Sequence, residues 1–436
     1  MRLHVKRTLA VVATTLALCT AACGTNNSGG TASPTTGDNN PAQVDLTWWH
    51  NANTDPGLSF WQKTANDFMD QNPDVKISIQ VYQNEDLRAK LKTVFNSDKA
   101  PQIYQQWGGG ELVDQVKAGY VMDLTGKVDQ AVNTIGAKNV SGWTVDGKVY
   151  GLPYTLGIEG IYFNKDLFAK AGITSVPTTL DELNAAVTKL KAANITPIAL
   201  GGGDSWPAAH WYFNFALRAC SQQVMTDTVT TKDFSDQCWQ QAAQNLADFT
   251  ATNPFNEGWI TTQAQQGAGS SAGMLANGQA AMELMGIWEP GVVGSLTPDQ
   301  QIPDFLDWFP FPSVPGGQGD PTAAMAGGDG VSCLSSAPAQ CVDFLNYMVS
   351  DQVQKDYAAT TNSAPSNPNA NSSLTQPIVQ KVSAAAGDAK YTQLWLDTAY
   401  GSNVGSAINN NVVALMQGQL DTAGFVAAVS QAAAQG

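Results

Sequence analysis

Histidine is nearly absent from this chain: His4, His50 and His210 are the only three in 436 residues. A zinc site draws its ligands chiefly from histidine and cysteine, so it has almost no material here, and no metal or cofactor is expected. Basic residues are scarce too, 22 against 37 acidic ones, for a net charge of −15 at pH 7. That balance argues against nucleic acid, or an anionic membrane surface, as a partner. After the N-terminus no apolar run approaches the ~20 residues a membrane-spanning helix needs. An HExxH helix, a Walker loop and a nucleophile elbow are not expected either.

What is present at the start is a graded signal. Arg2, Lys6 and Arg7 precede an apolar stretch from Leu9 to Leu18 and a run of small residues. That is the layout of a secretory signal over residues 1–22, too short to span a bilayer. Thr20-Ala21-Ala22-Cys23-Gly24 resembles the lipobox of bacterial lipoproteins, with Thr20 where leucine is usual; it implies an acylated Cys23 that anchors the chain to the outer face of the cell membrane. Residues 23–43, rich in Gly, Asn, Ser, Thr and Pro, read as a flexible tether. Loss of Arg2, Lys6 and Arg7 leaves 19 basic against 37 acidic residues, a charge of −18. Four further cysteines fall as two close pairs. Local bridges, Cys220 with Cys238 and Cys333 with Cys341, are favoured among three connectivities, with free buried thiols as the alternative.

About 390 residues from Val44 onward suit two lobes better than one. Val44–Trp49 reads as a strand, and Leu58–Gln71 carries apolar residues at 58, 61, 65, 68 and 69, a helical face. Asn72-Pro73 stops it. Val75–Tyr82 alternates as a strand, Leu87, Leu91, Val94 and Phe95 mark a helix, and Ile103–Trp107 returns as a short strand. This β-α-β-α-β order predicts a parallel sheet with right-handed crossovers. Thr179 and Glu182 form a capping box for a helix to about Ala193. Ile198–Leu200 and Ala281–Met285 read as strands; Phe344–Met348, Tyr391–Thr398 and two C-terminal stretches read as helices.

The order of Leu46-Thr47-Trp48-Trp49-His50, the Phe68–Val75 turn, Gly151-Leu152-Pro153-Tyr154 and Gly160–Phe168 resembles the family 1 extracellular solute-binding proteins of carbohydrate ABC importers. Pro101-Gln102 departs from the family's usual Pro-Asp. Ala100–Gly110 with Gly327–Gly330 is similar to the subgroup that takes xylo-oligosaccharides. The resemblance implies an α/β fold: a two-lobed, periplasmic-binding-protein-like clamp with a hinge, each lobe a mainly parallel sheet flanked by helices. Residues 44–153 with about 307–365 would make one lobe, and 154–306 with about 366–436 the other. It implies a monomer that is not an enzyme, captures a short oligosaccharide between the lobes and hands it to permease subunits.

A sugar offers hydroxyls on all sides and flat C–H faces, so its site needs aromatic platforms with carboxylates and amides. Trp107, Trp206 and Trp288 stand in Gly-rich or turn-like context, where tryptophan is less often core, whereas Trp211 on a helix with Phe215 reads as core. Glu85, Glu159, Asp204, Glu289 and Asp329 are the candidate carboxylates, each with a competing reading as a turn former or helix-end charge. His50 and Asn51 follow the first strand, and Gly108 allows close backbone approach. A secreted glycoside hydrolase would also carry tryptophans and paired carboxylates, whose spacing a sequence does not give; a surface adhesin or scaffold fits the tether but not the β-α-β start.

Overall fold

The strand Val44–His50 pairs in parallel with Val75–Val81 over its whole length and with Ile103–Gln106 at Trp48 and Trp49, in a computed structural model that describes residues 43–435. The signal segment, Cys23 and all but the last residue of the tether lie outside the described residues. Between the first two strands, helix Gly57–Gln71 turns Phe60, Trp61, Ala65 and Phe68 inward. It ends where Asn72 Nδ2 donates to Phe68 O at 2.8 Å, so the side chain satisfies a carbonyl the helix leaves open. Antiparallel strands Gly330–Cys333 and Leu152–Pro153 complete this five-stranded sheet.

The second lobe is built on Leu306–Phe309, Gly160–Asn164, Ala280–Met285 and Thr196–Ile198, in that order. Only the last pair is parallel, so both sheets are mixed, and this one departs from the mainly parallel expectation. Leu306–Phe309 also moves one boundary. Its expected place was the first lobe, yet it lies antiparallel on Ile161–Asn164, and the chain leaves this sheet only afterwards.

Gly157–Ile158 and Ala324–Gly327 run side by side in a third, three-stranded sheet with Thr392–Leu394. The first two are two of the crossings between lobes, and they touch closely: a Cβ on Gly328 would stand 2.0 Å from Thr155 O. Thr392–Leu394 corrects the expected helix over Tyr391–Thr398; only Leu396–Ala399 is helical there. Edge pairing with Ala324–Ala326 overrides the local pattern.

The capping box forms as expected, with Thr179 Oγ1 accepting from Glu182 N. Trp211 is buried against Phe249 and Phe311. The bridges are local: Cys220–Cys238 ties the end of helix Trp206–Ala219 to the start of Gln237–Ala251, and Cys333–Cys341 ties a strand to helix Gln340–Met348. Among the described residues no helix is long and apolar enough to cross a membrane.

Candidate ligand-binding cleft

Four of the five tryptophans that line a cavity of about 180 Å³ share one local setting, the point where a strand or turn gives way to the next element; the fifth, Trp61, comes from helix Gly57–Gln71. Trp107 follows Ile103–Gln106, and Trp395 follows Thr392–Leu394. Trp288 caps the helix Glu289–Ser295 just beyond Ala280–Met285. Trp206 opens helix Trp206–Ala219 after Ser205, whose φ of +62° swings the chain round. Strand ends of open α/β sheets collect ligands because loops there are free to vary on a rigid base.

The second-lobe wall is an aromatic corner. Trp206 and Trp395 each present an edge-on contact to Trp288, with ring centroids 6.2 and 5.6 Å apart, and His210 stacks on Trp395 at 5.7 Å. Among the described residues the indole N–H groups of Trp288 and Trp395 have no partner. Buried donors without partners are costly, so hydroxyl acceptors arriving on a ligand would relieve them.

The first-lobe wall holds Trp107 from two sides. The Arg88 guanidinium lies 4.3 Å from its ring centroid. Asp329 sits among donors: Gln105 Nε2 donates to Oδ1 at 2.6 Å, and the side chains of Trp107 and Asn51 stand near the same carboxylate. Burial pushes Asp329 up to about 6, and these donors limit the rise. Asp329 reaches the cleft because its own carbonyl, accepting from Tyr154 N at 2.8 Å, stitches the two crossings together. At the mouth, Gln266 Nε2 donates to Asn53 O at 3.4 Å, linking the lobes.

Of the eleven residues expected to meet ligand, Asn51, Trp107, Asp204, Trp206, Trp288 and Asp329 line this one cleft. Five stand behind its wall. His50 is buried on the face of the first strand that also carries Trp48; its Nδ1 accepts from Ala52 N at 3.2 Å, and burial pushes it down to about 3. Gly108 is a backbone device. Its φ is +80°, and a Cβ would stand 2.4 Å from Gly142 O. Glu159 accepts from Asn214 Nδ2 at 2.9 Å and lies 2.8 Å from His210 Nδ1, backing the ring that faces the cleft. Glu85 accepts from Asn409 Nδ2 at 3.2 Å, and burial pushes it up to about 7. Glu289 is fully buried beside Glu283; burial pushes Glu283 up to about 8 and Glu289 well above its usual range.

Sequence reasoning missed Arg88, His210, Trp395 and Asp397. A signal for Arg88 existed: Asn84 and Arg88 are four apart on helix Asn84–Val94, off the Leu87–Leu91 core stripe, and both line the cleft. Trp395 was hidden by the mistaken helix. Gly269-Ser270-Ser271-Ala272-Gly273 does spell a G-x-S-x-G string, contrary to the expectation, but it is no nucleophile elbow. Ser271 is buried, donates to Ala264 O at 3.0 Å, and no strand leads into it. Among the described residues no group of three or more His, Cys, Asp or Glu could hold a metal ion.

The chain resembles the multiple sugar-binding protein of Streptococcus mutans, 25% identical over 315 residues, 68% of this chain and 69% of that protein. It is 24% identical over 257 residues to the sn-glycerol-3-phosphate-binding periplasmic protein of Brucella abortus, 55% of this chain and 57% of the relative. The matched region spans 44% to 69% of the length of the first three curated relatives. Two solved structures overlay on nearly the whole fold at 25% identity. A protein studied for xylan utilization by Caldanaerobius polysaccharolyticus gives a TM-score of 0.81, covering 89% of this chain and 99% of its own. A chitin oligosaccharide binding protein gives 0.80, covering 90% and 98%. With residues 51–355 matching the family model described as bacterial extracellular solute-binding protein, this chain belongs to that family.

Proposed function

We propose that this protein captures a short, xylo-oligosaccharide-like sugar outside the cell and delivers it to the permease of an ABC importer. The observation that carries the reading is the pairing of walls: Trp107 on one lobe faces an aromatic corner of Trp206, Trp288 and Trp395 on the other. Pyranose rings stack on such faces, while Asn51, Gln83, Asn84 and Asp204 supply amides and a carboxylate for the hydroxyls. Contacts from both walls exist together only when the lobes are closed, so ligand shifts the population towards closure, and closure is what a permease can read. The multiple sugar-binding, xylan-utilization and chitin oligosaccharide names agree with a sugar-type solute, whereas the glycerol-3-phosphate-binding relative is named for a different one.

The protein works as a monomer on a lipid anchor at Cys23, after removal of residues 1–22, and it does not cleave its cargo. Hydrolysis is the rival reading, since Asp204 and Asp329 both line the cleft. Incubation with xylo-, cello- and malto-oligosaccharides tests both together. At least one sugar should raise the melting temperature, a ligand at ~100 times its Kd adding ~2.7 kcal/mol of stability. Chromatography should find every glycosidic bond intact. Release of shorter sugars by the pure protein would replace the carrier reading with a hydrolase.

A further inference from the structure

Arg88 is the one lysine or arginine among the described residues that line the cleft, and its charge is already matched. The guanidinium pairs with Glu111, lies 3.5 Å from Asp397 Oδ2, donates to Thr398 Oγ1 at 3.2 Å, and covers the Trp107 ring. Burial opposes its positive charge, and the carboxylates of Glu111, Asp397 and Glu85 more than offset that. Four carboxylates line the same space: Asp55, Asp204, Asp329 and Asp397. Asp204 accepts from a neutral donor, Ala264 N at 2.8 Å, and Asp329 from another, Gln105 Nε2 at 2.6 Å. His210, the other lining group able to carry a positive charge, faces Glu159 at 2.8 Å, so its charge would be matched too.

An anionic ligand therefore enters a cleft with several negative groups and no free counter-charge. Closure makes this worse, because removing water strengthens every remaining repulsion. We infer that the cleft is a charge filter: it accepts oligosaccharides without ionised substituents, rejects those bearing a uronate or phosphate, and owes this to Glu111 and Asp397, which together withhold Arg88 from the ligand. The inference rests on the carbohydrate reading above and narrows it. Specificity of this kind comes from an unfavourable element built against the competitor as much as from contacts to the preferred ligand.

Calorimetric titration of the full chain at pH 7 with glucuronosyl-xylotriose and with its methyl ester isolates charge, since the two differ in little else. The acid should bind about a hundredfold more weakly than the ester. Asp397→Asn, which frees one side of Arg88, should close that gap at least tenfold, and its melting curve reports whether it folds. Asp204→Asn, which removes a cleft carboxylate away from Arg88, should narrow the gap as well and serves if the first variant fails to fold. Acid and ester binding within threefold of each other, or a gap unchanged in a folded variant, would overturn the filter while leaving the carrier reading intact. No binding by the ester or any neutral xylo-oligosaccharide would remove both.

Discussion

Asp329→Asn separates a positioning role from direct ligand contact, because the amide keeps the shape of the carboxylate and changes only its hydrogen bonding. Asp329 accepts from Gln105 Nε2 at 2.6 Å, and the Trp107 and Asn51 side chains stand near its carboxylate. Asparagine can still accept on Oδ1, but its NH2 must face a donor. At least one bond to a charged acceptor is lost, worth ~1.5 to ~3 kcal/mol. Against this, the variant no longer holds a carboxylate that burial has already pushed up to about 6. These effects oppose each other, so the melting temperature should change little. The Trp107 ring loses the charged group beside it while keeping Arg88 on its face, and sugar affinity should fall ten- to thirtyfold, ~1.4 to ~2 kcal/mol. The pH profile is the second readout. In the wild type, lowering pH from 7 to 5 protonates Asp329 and removes an acceptor, so affinity should weaken; the variant should lack that step. Arg88, Tyr154 and Tyr357 also face Asp329, and Glu85, at about 7, titrates nearby, so the difference between the two profiles is the quantity to read. An affinity within twofold of wild type and the same pH step in both proteins would refute the positioning role.

Trp288→Ala should weaken sugar binding about thirtyfold, ~2 kcal/mol, with a small change in melting temperature; unchanged affinity with a collapsed melt would mean the ring serves only to pack on Gly286. Glu283 and Glu289 bind more protons folded than unfolded between their ordinary carboxylate range and about 8, so stability should fall as pH rises through that window. His50, pushed down to about 3, contributes the opposite slope below about 6.5, so denaturation at pH 6.5 to 8 leaves it out, while Glu85, at about 7, shares the decline there. There Glu283→Gln should flatten the decline, and an equally steep decline in the variant would contradict the assignment. Gly108→Ala combines a left-handed φ of +80° with a Cβ 2.4 Å from Gly142 O. It should cost ~2 to ~4 kcal/mol in urea denaturation, and a neutral result would show that the loop gives way.

Whatever depends on near neighbours along the chain was legible in the order of residues. Alternation in Val44–His50 and Val75–Val81, the Asn72-Pro73 stop, and the Thr179–Glu182 capping box are local events, so their strands and helices appear within a residue or two of expectation. The short spacing of each cysteine pair made local bridges the shortest loops to close. Trp107, Trp206 and Trp288, at the ends of elements, reach the cleft. The carboxylates divide between cleft and interior according to what the fold sets opposite them. Trp288 and Glu289 are adjacent in one turn, but a helical step rotates successive side chains by about 100°, sending the ring to the cleft and the carboxyl inward to Glu283. Glu85 points at Asn409, and Arg88 meets Asp397, both across more than 300 positions of chain. Leu306–Phe309 joined the second sheet because the free edge of Gly160–Asn164 was there to receive it. A residue's conformation is set by its neighbours in sequence, but whether a charged side chain meets solvent, ligand or a counter-charge depends on what the fold places opposite it.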